Sequence, residues 1–275
     1  MPRKLSSRRS GSRAEEGNLQ IHNEELADVR RYLESNRLHS LEEKEADFQA
    51  RLNRIQRFKR IEPGSRILEI GTGTGWFTLL CQARNIGCKG LEISSQLIEY
   101  SRQLGRAQGI DPDIELGNIE EADIGIAQYD VVIGESVFEH VEHWQKALRR
   151  VFNALKPGGV LFFSSTNKFS LRSGEYSFPL YGWLPDRWRY RLRVARQGPD
   201  IMKLGIDFNQ FTHWRLRRFF RELGFPKVLD RVEAADLDGI ANPWKRTLLK
   251  ACRRCALVRW VVLLFCDATI FVCVK

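Results

Sequence analysis

The stretch RILEIGTGTGW, residues 66–76, decides how the rest of the chain is read. An apolar run carrying one acid, Glu69, passes into three glycines at alternate positions, Gly71, Gly73 and Gly75. Glycine tolerates positive φ and lets backbone come close to a ligand. A P-loop for triphosphates needs G-x-x-x-x-G-K-[ST], and no lysine follows the last glycine here. A dinucleotide fingerprint needs a third glycine for close helix–strand packing, and Trp76 stands at that position. What remains is E-x-G-x-G-x-G at the carboxyl end of a strand, the edge at which open α/β sheets bind ligands.

A second acid points to a nucleoside. Glu92 closes the apolar segment CKGLEI, 23 residues after Glu69. A carboxylate there can accept hydrogen bonds from both ribose hydroxyls. Around these two segments, strands and helices alternate. Strands are expected at 66–70, 88–93, 114–116, 129–134 (YDVVIG) and 160–165 (VLFFSS), with helices at 76–84, 95–108 and 144–155. Lys156-Pro157-Gly158-Gly159 marks a turn before the fifth strand. Such alternation indicates a parallel sheet covered on both faces.

Upstream, Leu26, Val29 and Leu33, then Leu41, Phe48, Leu52, Ile55 and Phe58, fall at helical spacing and predict one or two helices over 22–60. Residues 1–20, rich in Arg, Ser and Gly, read as a disordered basic tail with neither a secretory signal nor the apolar face of a transit peptide. After 165 the pattern breaks. Residues 166–210 mix aromatics with Arg187, Arg189, Arg191, Arg193 and Arg196 and show no clean period. A helix is expected over Thr212–Leu223, and final strands at KVLDRV (227–232) and ATIFVCVK (268–275), joined by a further helix within 236–266. Arg259 and Asp267 bracket an apolar run of only seven residues. A bilayer span takes about 20, so a buried helix and then a strand are expected there.

The formal charge is +10, and residues 171–275 carry all of that excess. A basic face in the last third could meet anionic lipid, a phosphorylated substrate or nucleic acid. The six cysteines are scattered, and Cys252-x-x-Cys255 lacks the second pair that a structural zinc site uses. Free thiols in a reducing, cytoplasmic setting are expected.

In LEIGTGTG (68–75), LEIS (91–94), LGNIEE (116–121), YDVVIGESVFEHV (129–141) and LKPGGVLFFSS (155–165), taken in this order, the chain resembles the class I, Rossmann-like S-adenosylmethionine-dependent methyltransferases. The resemblance covers about residues 60–165, with weaker support from 207–225. It implies S-adenosyl-L-methionine as cofactor. The Gly71–Gly75 backbone, with Thr72, would hold the methionine part. Glu69 would lie near its amino group, Glu92 and Ile93 at the ribose, Asn118 and Ile119 at the adenine, and the backbone of Glu135 and Ser136 at the methionine end. The fold expected is α/β: a doubly wound, mostly parallel seven-stranded sheet with an antiparallel last strand, helices on both faces and an inserted lid. The chain would divide into a tail (1–20), N-terminal helices (21–62), a cofactor-binding core (63–165), an acceptor lid (166–210) and a completion of the sheet (211–275).

EHV at 139–141 resembles the branch related to ubiquinone O-methyltransferase. Some quinone enzymes of that branch bind a divalent metal through Glu, Glu and His. The first of those positions is Ser136 here, so no metal is expected. For a hydroxyl acceptor a base is needed, and the candidates are His140, ranked first, then His143, His213, Glu139 and Asp207. The aromatics and arginines of 166–210 suit a small or lipid-like acceptor bearing an acid or phosphate, with peripheral contact to an anionic membrane. The other readings are an RNA or protein methyltransferase using the basic last third, and a non-catalytic S-adenosylmethionine-binding protein. Nucleic acid is disfavoured, because GESVFEH stands where a base-flipping Asn/Asp-Pro-Pro-Tyr tetrad would follow the fourth strand.

Overall fold

The computed structural model describes residue 33 and residues 41–172, 178–197 and 209–275. The basic tail, most of the segment 21–40, Tyr176 and Asp207 lie outside the described residues. Helix α1 (Leu41–Gln56) leads into β1 (Arg66–Ile70), α2 (Trp76–Gln82), β2 (Gly87–Glu92), α3 (Ser95–Arg106), β3 (Ile114–Leu116), β4 (Tyr129–Glu135), α4 (Trp144–Ala154) and β5 (Leu155–Thr166). There follow α5 (Asp186–Gln197), α6 (His213–Leu223), β6 (Lys227–Asp230), the one-turn α7 (Arg231–Ala234), α8 (Pro243–Arg254), α9 (Ala256–Phe265) and β7 (Ala268–Val274).

The seven strands form one sheet in the order β3-β2-β1-β4-β5-β7-β6. Strands β1 to β5 pair in parallel, and β7 runs antiparallel between β5 and β6. The chain winds outward from β1 to β3 and then returns to the other side of β1. This switch point sets the Gly71–Gly75 loop and the residues after β4 on one edge of the sheet.

Successive side chains of a strand face opposite ways. Ile67, Val131, Ile133 and Phe162 pack with Phe48, Leu52, Ile55 and Phe77 of α1 and α2. Leu68, Ile70, Val132 and Phe163 pack on the other face with Trp144, Leu148 and Phe220 of α4 and α6. Parity therefore sends Glu69 and Glu135 to the α1 side.

Three expectations are corrected. The turn at Lys156–Gly159 lies inside β5: the register steps from Tyr129↔Leu155 to Val131↔Val160, and Gly158 takes φ +72°. Residues 186–197 form a helix, which the sequence hid because Arg189 and Arg193 lie on its buried side, where apolar residues are normally counted. In α9 only Leu263 is buried, while Leu257 and Trp260 are 70% and 53% exposed, so the expected buried helix is a surface one. No helix among the described residues is long and apolar enough to cross a membrane.

His213 opens α6 and is buried (4% exposed), with Nδ1 unpartnered and its ring 5.6 Å from that of Phe271. Burial, reinforced by Arg231 and Arg217, lowers its pKa from 6.5 to about 4. The unfolded chain takes up this proton first, so the contribution is complete above about pH 6.5 and is lost as pH falls toward 4, up to about 3 kcal/mol. Urea midpoints should fall steeply between neutral pH and pH 5, and His213→Gln should flatten that slope.

Candidate functional site

The glycine loop is built for close approach. Gly71, Gly73 and Gly75 take φ of 67°, 56° and 68°. A Cβ at Gly71 would lie 2.5 Å from Val137 Cγ2, and one at Gly75 2.5 Å from Ser101 Oγ. Side chains are excluded there by conformation and by space. Next to the loop, Glu92 is buried. Its Oε2 accepts from the Gly73 N–H at 2.8 Å, and its Oε1 from the Ile93 and Ser94 N–H groups at 2.9 and 3.1 Å. Burial pushes this carboxyl above its usual range, against the pull of those three donors. Thr72 Oγ1 is buried without a hydrogen-bond partner. Ile119 is buried beside Leu91 in the core, and Asn118 Oδ1 accepts from the Glu120 N–H at 3.0 Å. A buried acceptor carboxylate, an orphan hydroxyl and a glycine cradle fit a nucleoside cofactor. Glu92→Gln is expected to remove a charge-assisted bond worth about 1.5–3 kcal/mol. Calorimetry should then show roughly 10–100-fold weaker S-adenosylmethionine binding.

Helix α1 closes the α1 face of this edge with two arginines. Arg51 Nη1 donates to Glu69 Oε1 at 2.7 Å, and its Nη2 to Glu135 Oε2 at 2.5 Å. Arg54 also pairs with Glu135. Thr78 Oγ1 donates to Glu69 Oε2 at 3.0 Å. The Arg51 guanidinium lies over the rings of Phe77 and Trp76, at 4.8 and 5.5 Å. Burial alone would raise the Glu135 carboxyl, but the two guanidiniums hold it below the usual carboxylate range. Burial keeps Glu69 above that range.

Past β4, Ser136 takes φ 55° and a 3-10 turn spans Phe138–His140. A cavity of about 250 Å³ opens here between the ends of β4 and β5 and the Tyr181–Gly182 turn. Ser136, Glu139, Ser165, Asn167, Gln210 and Asp267 contribute polar side chains to its lining. Glu139 is buried, and Ser165 Oγ donates to its Oε2 at 2.7 Å. The Asn209 amide donates to the Val141 carbonyl at 2.7 Å and so clips the turn. Asn167 Nδ2 donates to the Cys266 and Leu264 carbonyls at 2.8 and 3.0 Å, fastening the end of α9 to β5.

The base candidates separate. Glu139 lines the cavity; His140, half-buried on the same turn, is not among its lining residues. His143 is exposed at the start of α4, and His213 belongs to the core. Sequence reasoning missed Arg51, Arg54, Ser165, Asn167 and Asn209. The signal for Arg51 was its place three residues after Phe48 on the inward face of α1. Among the described residues no group of three or more His, Cys, Asp and Glu could hold a metal ion.

The family described as a methyltransferase domain matches residues 41–229. Ubiquinone biosynthesis O-methyltransferases of Marinobacter nauticus and Erwinia tasmaniensis are 25% and 26% identical, over 54% and 55% of this chain. The matches span 66% and 59% of those relatives' own lengths. Among solved structures, phosphoethanolamine N-methyltransferase 2 of Haemonchus contortus with S-adenosyl-L-methionine superposes with a TM-score of 0.53 at 15% identity. That match covers 82% of this chain and 52% of the other. An S-adenosylmethionine-dependent methyltransferase of Archaeoglobus fulgidus gives 0.51 at 18%, covering 84% and 94%. Sheet order, glycine cradle and family match agree, and the chain belongs to the methyltransferase-domain family with the class I, S-adenosylmethionine-dependent fold.

Proposed function

We propose that this protein transfers the methyl group of S-adenosylmethionine to an oxygen of a small acceptor whose polar head occupies the cavity beside Ser136. The observation that carries the reading is that cavity. It adjoins the loop after β4, where the resemblance sets the methionine end of the cofactor, and the buried Glu139 is among its lining residues. Its volume of about 250 Å³ lies below the ~300–1,000 Å³ of drug-sized pockets. A compact, hydrogen-bonding group fits a space of this size. The names of the curated relatives agree with oxygen as the acceptor atom.

The cofactor supplies an electrophilic methyl on a sulfonium. The chain's own part is position and proton control. The Gly71–Gly75 backbone and Glu92 fix the donor, while the cavity walls hold the acceptor oxygen in line and exclude water. Orientation of this kind can contribute up to about 7–11 kcal/mol. Glu139, kept in place by Ser165 Oγ and the clipped turn, takes the acceptor proton. Because Ser136 replaces a metal-binding carboxylate, transfer should be unchanged by chelator or added magnesium, and strict magnesium dependence would count against the assignment.

The test is transfer of a tritiated methyl from labelled cofactor into separated small-molecule, RNA and protein fractions of a cell extract. Label in the small-molecule fraction is expected. Label in RNA or protein alone would sink the proposal, and label in none would leave a cofactor-binding protein without transfer.

A further inference from the structure

The surface of α9 is apolar where a soluble helix should be polar. Leu257, Trp260 and Val261, at i, i+3 and i+4, form one exposed stripe. The stripe continues by ring contact across the molecule. Trp260 stacks on Trp214 of α6 at 6.3 Å, Trp214 on Phe169 at 6.1 Å, and Phe169 meets Trp183 of the lid at 5.3 Å. Trp214 and Trp183 are each 43% exposed. The ridge therefore runs from α9 to the Tyr181–Trp183 turn that roofs the acceptor cavity.

Charge selects the occupant. Residues 239–266 contain six Lys and Arg and no Asp or Glu. Lys245, Lys250 and Arg254 are exposed on α8, as is Arg215 next to Trp214. Half-exposed tryptophans among cations suit the headgroup region of a bilayer, where an aromatic ring is half wet and half dry and a cation meets lipid phosphate. On its other side α8 walls a cavity of about 400 Å³ floored by Phe162, Val262, Ile270 and Val272, with Arg57, Arg231 and Lys245 also in its lining. An apolar floor beneath cations matches an acyl chain under an anionic headgroup. Helix α9, about 15 Å long, is too short to span but long enough to lie in the interface.

We infer that the ridge of Leu257, Trp260, Val261, Trp214 and Trp183 docks this protein on an anionic lipid bilayer, with the α8–α9 cations against the headgroups. The cavity for the acceptor then opens toward the lipid surface. Docking does not depend on the methyl-transfer reading, since it is measured without turnover.

The full chain is sedimented with phosphatidylcholine vesicles, with and without phosphatidylglycerol, while tryptophan emission is followed. Binding to the anionic vesicles, a blue shift and weakening by salt are expected. Leu257→Asp/Val261→Asp should weaken partitioning about tenfold or more, with S-adenosylmethionine affinity and the melting temperature retained. Lys250→Glu/Arg254→Glu should weaken binding to anionic vesicles while leaving the melting temperature unchanged. Should the aspartate pair lower the melting temperature, the milder Trp260→Ser serves instead. Absence of vesicle binding, or binding equal in the variants and the parent, overturns the inference. A concentration-dependent dimer that the aspartate pair dissolves, without vesicle binding, would give the face to a second copy of the chain instead.

Discussion

Replacing Arg51 by methionine should lower the unfolding free energy by about 3–5 kcal/mol, the usual cost of removing one partner of a buried ion pair. The side chain is 17% exposed and serves Glu69 and Glu135 together. Methionine keeps most of the volume against Phe77 and Trp76 but leaves Glu69 with only the Thr78 hydroxyl. Glu135 keeps Arg54, so Glu69 should suffer the larger penalty. The loss arises from stranded charge more than from a missing attraction, and this makes it separable. Arg51→Met/Glu69→Gln should recover much of the stability, and adding Glu135→Gln should recover more, as read from urea midpoints at neutral pH. If the triple variant is no more stable than Arg51→Met, packing rather than charge is what Arg51 supplies. Cofactor affinity should follow stability in the single variant, because Glu69 lies in the strand that launches the glycine loop.

The sequence made the cofactor side legible because that side is backbone and strand-end chemistry. Gly71, Gly73 and Gly75 had to be glycines to take positive φ, and Glu92 had to end a strand to be buried beside them. Those constraints are local, so they appear in a short string. The partner of Glu69 and Glu135 does not. Arg51 lies 18 residues before one acid and 84 before the other, and only the assembled sheet brings all three together. Period two along β1 and β4 already placed both acids on one face, and an amphipathic α1 must cover a face of the sheet. The pairing could have been argued, although not which arginine makes it. Helix α5 failed for a different reason. Its buried positions include Arg189 and Arg193, so a count of apolar periodicity finds nothing. Helix α9 misled in the opposite direction: its apolar residues were assigned to the interior, whereas Leu257 and Trp260 face outward.

The largest kinetic effect is expected at Glu139. Glu139→Gln keeps the size of the side chain and still accepts from Ser165 through its amide oxygen, but it cannot take a proton. With a general base worth about 10²–10⁴-fold, kcat should fall by that range while KM for the acceptor and cofactor affinity change little. His140→Gln should have a far smaller effect, since the neighbouring imidazole is not part of the cavity wall. A purely structural role for Glu139 would predict a different pattern, with loss of stability and a raised KM at all pH values. The pH profile separates the two. An acceptor hydroxyl of phenolic acidity ionises in water near pH 10, and an ionised acceptor needs no base. The deficit of Glu139→Gln should therefore shrink as pH rises toward that value, whereas a deficit caused by misplaced Ser165 or a loosened turn would persist. Equal deficits at pH 7 and pH 9.5 would remove Glu139 from proton transfer and leave it as a strut between β4 and β5.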